Sequence, residues 1–192
     1  MTRWRVASVK TEYMLTSGAL ILASPGMHES TFDRTVIFLL EHDESGSMGL
    51  VLNRPSDMLV SDALPDFSRL AKPDRLYLGG PVEEGTALVL AEPVDPAAPD
   101  MHFMHNGIGL LDLATDRDPS NHLQRARVFS GYAGWGPRQL EGEVRNGAWI
   151  IGQCCEEDLW SPDHHRLWAQ ILARQGKMAD FLTQFPGQPW LN

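Results

Sequence analysis

The apolar runs along the first third of the chain are short and separated by turn residues, as in an antiparallel sheet. The segments Ala19–Ala23 and Val36–Leu40 are continuously apolar, which is typical of strands buried on both faces. The polar stretch Asp43–Ser47 contains a glycine, so it predicts a hairpin turn that returns through Gly49–Leu52. We therefore expect a β-hairpin next to a further strand.

Four more segments of strand length follow, each next to turn residues. They are Arg75–Leu78, Thr86–Ala91, Ile108–Leu113 and Ala148–Gln153. Ser61–Leu64 predicts a short helical turn, which Pro65 ends. Because hairpin signals recur and few helices intervene, the pattern favours a single α+β domain with a mainly antiparallel sheet.

The strongest helical pattern covers Ser161–Gln175. Ser161 is predicted as its N-cap, Pro162 as its first residue and Gly176 as its C-terminal cap. Four apolar residues at helical spacing predict one face that packs on the sheet. These residues are Leu167, Trp168, Ile171 and Leu172.

The segment Arg127–Glu143 is rich in glycine. It predicts a buried strand over Val128–Gly131, then a tight glycine loop and a short helix. Gly136 is predicted as the N-cap of that helix and Pro137 as its first residue, and Asn146-Gly147 is predicted to end it.

The charge and the cysteine content of the chain exclude some classes of function and indicate its compartment. The 192 residues include 16 Lys and Arg against 25 Asp and Glu, for a formal net charge of −9, and there is no run of basic residues. Such a surface repels phosphate backbones, so we expect no direct nucleic-acid binding. Cys154 and Cys155 are adjacent, which suits neither a disulfide framework nor a metal site and indicates a reducing compartment.

The N-terminus resembles a signal peptide only in part. Basic residues precede the apolar stretch Tyr13–Ala23, but Glu12 and Thr16-Ser17-Gly18 interrupt the pattern, and no long apolar span follows. We expect a flexible leader over residues 1–15, one domain over residues 16–192, no membrane association and a cytoplasmic location.

Three ordered blocks carry a family resemblance. The first runs from Phe32 to Asn53-Arg54-Pro55, the second is Leu78-Gly79-Gly80-Pro81-Val82, and the third runs from Gly131 to Glu143. In this order they resemble the bacterial YqgE/AlgH family. The resemblance implies an α+β fold whose bifurcated, largely antiparallel sheet curls into a partial barrel with flanking helices. It also implies a cytosolic protein of unsettled biochemical role, one branch being named as a transcriptional regulator.

This chain departs from the family pattern at two places. Arg138 stands where the family often has glycine, and Glu83–Thr86 lacks a basic residue often found there.

The glycine segment offers two interpretations. Gly131–Pro137 leading into a helix would expose backbone N–H groups to an anion, although it lacks the lysine of a P-loop and the spacing of a dinucleotide fingerprint. Alternatively, the glycines permit a tight turn and let Trp135 pack. Arg54 likewise suits a carboxylate or phosphate, or else a structural ion pair with Asp57, Glu41 or Asp33. The candidate ligand-binding residues are Arg54, Gly79, Gly80, Gly131, Gly134, Trp135 and Gln139.

Catalytic and metal sites are weakly indicated. Glu41 and His42 are adjacent on a predicted strand, so their side chains should point to opposite faces. His102 and His105 have ligand spacing, but their predicted loop, which is flanked by proline, has no clear third ligand. No hydrolase elbow, metalloprotease or EF-hand motif is present in the sequence. We expect no metal, no cofactor and no catalytic residue.

Two function classes remain from this reasoning. The first is a non-catalytic binding module that holds a small anionic ligand or a protein segment near the glycine segment. The alternative is the transcriptional regulator that the resemblance implies, acting through a protein partner. An enzyme of unknown type is a distant third.

Overall fold

The computed structural model of the protein describes residues 14–27, 31–95, 101–105, 107–113 and 122–175. Nine strands lie in these ranges: β1 (Leu20–Ala23), β2 (Val36–Asp43), β3 (Gly46–Val51), β4 (Tyr77–Leu78), β5 (Val82–Pro93), β6 (Met101–His105), β7 (Ile108–Leu111), β8 (Leu123–Trp135) and β9 (Trp149–Gly152). The described helices are α1 (Val60–Ala63), α2 (Gln139–Arg145), α3 (Glu156–Trp160), α4 (His164–Arg174) and a 3-10 helix at Pro65–Phe67. Within these ranges no helix has both the length and the apolar character needed to cross a membrane.

The strands form one mostly antiparallel sheet in the order β6-β7-β5-β8-β3-β2-β1-β9, and β4 pairs with β8 in parallel beside this path. This confirms the predicted α+β class and the predicted hairpin, in which Asp43 lies opposite Gly46. Among the described strands, β6 and β9 stand at the two ends of this order and do not pair with each other, so the sheet is not closed. The partial barrel stays a prediction.

The sheet is apolar on both faces, as the continuous runs predict. One buried cluster contains Phe38, Leu50 and Phe129, and α4 packs on it. A second cluster on the other face contains Ile37 and Val51, together with Trp135. Neighbouring residues of β2 and β3 thus enter different clusters, because successive side chains of a strand point to opposite faces.

Strand β8 joins the two halves of the sheet. Its residues Leu123–Ser130 and Tyr132 pair with β5, and Ala133–Trp135 pair with Ser47–Gly49 of β3. Gly131, with a φ of +67°, lies at the register shift of the β5–β8 ladder, just before β8 pairs with β3. The predicted glycine loop after Gly131 is therefore wrong, because ladder hydrogen bonds to β3 hold this segment extended despite its glycines.

The start of α2 also differs from the prediction. The helix begins at Gln139, and its N-cap is Arg138 in the left-handed region rather than Gly136. The predicted end is confirmed, since Asn146 is the C-cap and Gly147 follows with a φ of +78°.

Helix α4 begins later than predicted. Asp163, rather than Ser161, is its N-cap and accepts a hydrogen bond from the Arg166 N–H, because α3 occupies the chain up to Trp160. Gly176 lies outside the described residues. The predicted packing face is confirmed in its main part.

Three of the four predicted residues of that face are buried, and Trp168 is half-buried at its edge. Its indole Nε1 donates to the Ala23 carbonyl at 2.8 Å. The buried residues are Leu167, Ile171 and Leu172.

Sequence reasoning missed β6. The segment with His102 and His105 is a strand that pairs with β7, not a loop. Residues 1–13 of the predicted leader lie outside the described ranges, and the division into residues 1–15 and 16–192 stays a prediction.

Candidate functional site

The Gly79-Gly80 turn carries the chain across β8. Ser130 pairs with β4 on one edge and with β5 on the other, so the connection between β4 and β5 must pass over β8. The Gly79 N–H donates to the Ser130 carbonyl at 2.8 Å. A Cβ atom would lie 2.1 Å from the Gly131 carbonyl oxygen if added to Gly79, and 2.2 Å from the Tyr132 carbonyl carbon if added to Gly80. Two backbones therefore touch at this crossing.

Gly131 completes the crossing from the β8 side. A Cβ atom there would lie 2.6 Å from the Gly80 carbonyl oxygen and 2.7 Å from that of Val82. The structure thus brings together the predicted site residues Gly79, Gly80 and Gly131 in a backbone contact that only glycine permits. A ligand role for these three residues stays a prediction.

Trp135 and Gln139 belong to a hydrogen-bond network centred on Glu143. The Glu143 carboxylate accepts from the Trp135 indole at 3.0 Å, the Trp149 indole at 2.7 Å and the Gln139 amide at 2.9 Å. Gln139 also accepts from the Gly136 N–H at 3.1 Å. The Gly136 N–H at this turn is therefore already paired within the protein. Sequence reasoning gave Glu143 no role; two tryptophans close to it in the sequence were the available signal.

Arg54 is tied to the chain that precedes β2. Its guanidinium donates to the Asp33 carbonyl oxygen, and burial lowers its pKa, partly opposed by the charge of Asp33. Among the three residues predicted as ion-pair partners of Arg54, it contacts Asp33, and the contact is with the main-chain carbonyl of Asp33. Arg54 does not line the cleft described next.

A cleft of about 360 Å³ opens on one sheet face beside the β2–β3 turn. Its described lining residues are Glu41, Asp43, Ser45, Gly46, Ser47, Met48, Val82, Tyr132, Gly134 and Trp135. They include two of the predicted site residues, Gly134 and Trp135.

The strand register explains this cleft. Asp43 lies opposite Gly46, Glu41 opposite Met48, and Met48 opposite Gly134, so these residues share one face. Gly134 carries no side chain on that face, and the Tyr132 ring and the Val82 side chain lie 3.4 and 3.5 Å from the position that its Cβ atom would take. Tyr132, two residues before Gly134 in the same strand, stands on the same face and lines the cleft.

The cleft is acidic. Glu41 and Asp43 are both exposed on its rim, and none of its described lining residues is basic. The Ser45 hydroxyl and backbone N–H donate to the Asp43 carboxylate at 2.5 and 2.7 Å. These hydrogen bonds lower the pKa of Asp43 below its ordinary value of 3.8, so the carboxylate is ionised at neutral pH.

His42 does not line the cleft, as expected from its alternation with Glu41. Its Nδ1 lies 2.7 Å from the Ser47 hydroxyl, which is a contact between directly opposite residues of β2 and β3. The pair could be taken for a nucleophile and its base, but among the described hydrogen bonds no carboxylate orients the imidazole. The contact is therefore accounted for by the register of the hairpin.

The two cysteines have structural roles. Cys155 is the N-cap residue of α3, and its backbone N–H donates to Asp158 at 2.9 Å. Burial, followed by the charge of Asp158, raises the pKa of the Cys154 thiol to about 12. The described residues contain no group of three His, Cys, Asp or Glu side chains that could hold a metal ion.

Comparisons with known proteins agree with the fold. A family model described as AlgH-like matches residues 20–180. The UPF0301 protein of Streptomyces avermitilis is 41% identical over 192 residues, which covers 95% of this chain and 98% of the relative. That of Streptomyces coelicolor is 39% identical with the same coverage.

Two solved structures are similar over most of the chain. A crystal structure of a Corynebacterium diphtheriae protein has a TM-score of 0.78 and 27% identity, covering 85% of this chain and 88% of that one. The solution structure of the AlgH protein from Pseudomonas aeruginosa has a TM-score of 0.66 and 27% identity, covering 92% and 98%.

Proposed function

The chain belongs to the AlgH-like family, and from the geometry of its cleft we propose that it is a non-catalytic binding module for a basic segment of a partner protein. The observation that carries this proposal is the placement of two exposed carboxylates, Glu41 and Asp43, in one cleft with Tyr132 and with no basic side chain among the described lining residues.

These lining residues match the chemistry of an arginine or lysine side chain. Its aliphatic stem would lie against Met48 and Tyr132, which line the same face. Its charged end would meet the carboxylates of Glu41 and Asp43, and the Tyr132 ring adds a cation–π contact.

The charge of the whole chain supports the same choice of ligand. With a formal net charge of −9, the protein attracts a cationic partner and repels an anionic one over longer distances. The small anion predicted near the glycine segment gains no support from this cleft, because its described lining lacks a basic side chain. A role in transcription, as the resemblance implies, would act through the same protein partner.

The test is a titration with a short peptide that contains one arginine, followed by NMR or fluorescence. The double variant Glu41→Gln/Asp43→Asn should weaken binding by up to about fivefold for each carboxylate removed, as expected for exposed ion pairs. Glu44→Gln is the matched control, because Glu44 is exposed in the same turn but does not line the cleft.

The control peptide has glutamate in place of arginine. The proposal is overturned if this acidic peptide binds as tightly as the basic one. It is also overturned if the double variant binds the arginine peptide with the wild-type affinity. Added salt should weaken the wild-type complex, because exposed charges are screened.

A further inference from the structure

Strand β8 carries two arginines on one face, and they have different surroundings. Arg125 is paired with two carboxylates, those of Glu92 and Glu156, and its guanidinium lies 4.8 Å from the Trp160 ring centre. Arg127, two residues further along, has no ion-pair partner among the described carboxylates. The charge of Arg125 is compensated, and that of Arg127 is not.

The guanidinium of Arg127 is deeply buried. The residue is only 3% exposed, and its guanidinium carbon lies 4.4 Å from the Tyr77 ring centre. One nitrogen, Nη2, donates to the Ser161 carbonyl at 2.7 Å. The other, Nη1, is buried without a hydrogen-bond partner in the described part of the chain.

Two more buried polar atoms, on residues near Arg127 in the fold, are unpaired within the described residues. They are the Tyr77 hydroxyl and the Trp160 indole Nε1. Tyr77 supplies the ring on which Arg127 lies, and Trp160 directly precedes the serine whose carbonyl Arg127 binds. Three unpaired groups that can donate a hydrogen bond thus come from residues that meet at the junction of β4, β8 and the α3–α4 connection.

This arrangement favours an anion on physical grounds. Arginine stays charged in proteins, and a buried charge is costly unless an opposite charge and hydrogen bonds compensate it. Each unpaired N–H or hydroxyl adds a desolvation cost of its own. An oxyanion at Nη1 would supply the missing negative charge, and the unpaired donors on neighbouring residues could complete its hydrogen bonds.

We propose that Arg127, Tyr77 and Trp160 form a binding site for a small oxyanion of the carboxylate or phosphate type. Because Arg127 is almost fully buried, the ligand is a small isolated anion and not a polymer. The site is separate from the acidic cleft, whose lining includes none of these three residues. It also lies outside the segment Gly131–Pro137, for which the sequence offered an anion site as one of two interpretations.

The test measures the melting temperature during titration with acetate and with phosphate, and chloride at matched ionic strength controls for screening. At about a hundred times its dissociation constant, a bound anion should raise the melting temperature of a chain of this size by about 5–10 °C. The rise should persist in Arg125→Gln and be lost in Arg127→Gln. The anion that gives the larger rise identifies the ligand type.

A second measurement covers the case in which Arg127→Gln fails to fold. In wild-type protein the indole N–H resonance of Trp160, assigned with the variant Trp160→Phe, should shift with anion concentration more than any other indole resonance. The proposal is overturned if neither acetate nor phosphate acts beyond chloride up to about 100 mM. It is equally overturned if folded Arg127→Gln responds like wild type, or if the Trp160 resonance does not move.

Discussion

At the scale of single residues, Cys154 shows how burial controls reactivity. Raising its pKa from 9.0 to about 12 lowers the thiolate fraction at about pH 8 by roughly a thousandfold, because the thiolate is the charged form that burial disfavours. We therefore expect iodoacetamide to alkylate Cys154 about a thousandfold more slowly in native protein than in urea.

The measurement uses the variant Cys155→Ser, so that one thiol reports and the N-cap position of α3 holds a residue that N-caps favour. Mass spectrometry over time gives the rate. Alkylation of native protein at the denatured rate would show that Cys154 is not protected by its surroundings.

Glu143 is the acceptor for two buried indoles, so its loss should destabilise the fold. Glu143→Ala leaves the indole N–H groups of Trp135 and Trp149 without their acceptor, and both rings are at least nine-tenths buried. We expect the free energy of unfolding to fall by about 2–4 kcal/mol, measured by urea denaturation.

The control is Glu141→Ala in the same helix. The described hydrogen bonds include none to the Glu141 side chain, so a change below about 0.5 kcal/mol is expected. Equal effects of the two substitutions would mean that the indole hydrogen bonds contribute nothing specific.

At the scale of elements, alanine substitutions of two glycines should change the free energy of unfolding in opposite directions. One glycine lies where the β4–β5 connection crosses β8, and the other lies in α2. Gly131→Ala places a methyl group 2.6 Å from the Gly80 carbonyl oxygen at a φ of +67°, so it should cost about 2–4 kcal/mol. Gly142→Ala, in α2 with no atom within 4 Å, should stabilise the protein by about 0.5–1 kcal/mol.

Thermal or urea denaturation of both variants measures these changes in the free energy of unfolding. If Gly131→Ala were as stable as wild type, the two backbones could not be in the contact described. If Gly142→Ala were instead less stable than wild type, the space beside Gly142 would not be open as described.

At the scale of the whole molecule, charge predicts which partners are excluded. With a formal net charge of −9, we expect duplex DNA to bind no more tightly than the weak non-specific range of about 10⁻⁴ M at physiological salt. A fluorescence titration at two salt concentrations measures this. A sub-micromolar complex that depends on DNA sequence would refute the expectation and favour a direct regulator.

The cytoplasmic location also rests on composition, here on the cysteine content, and stays a prediction. The adjacent pair Cys154 and Cys155 suits a reducing compartment, and both cysteines are free in the structure. Their position between β9 and α3 is consistent with a reducing compartment but does not test it.

The sequence by itself determined the class of fold and most of its strands. Continuous apolar runs such as Val36–Leu40 predict buried strands because burial of apolar surface is a local requirement that each strand meets with its own residues. The apolar face of α4 was found for the same reason. Three spaced motif blocks were enough for the family.

Only the tertiary structure decided what the glycines do and where the chemistry lies. The extension of β8 through Gly134 depends on hydrogen bonds to β3, which is distant in sequence, and the need for Gly79, Gly80 and Gly131 arises only where two backbones cross. The acidic cleft depends on register, which places Glu41 and Asp43 on the same face as Met48 and Tyr132. The unpaired charge of Arg127 is likewise a property of its surroundings, because the same residue type two positions earlier is fully paired.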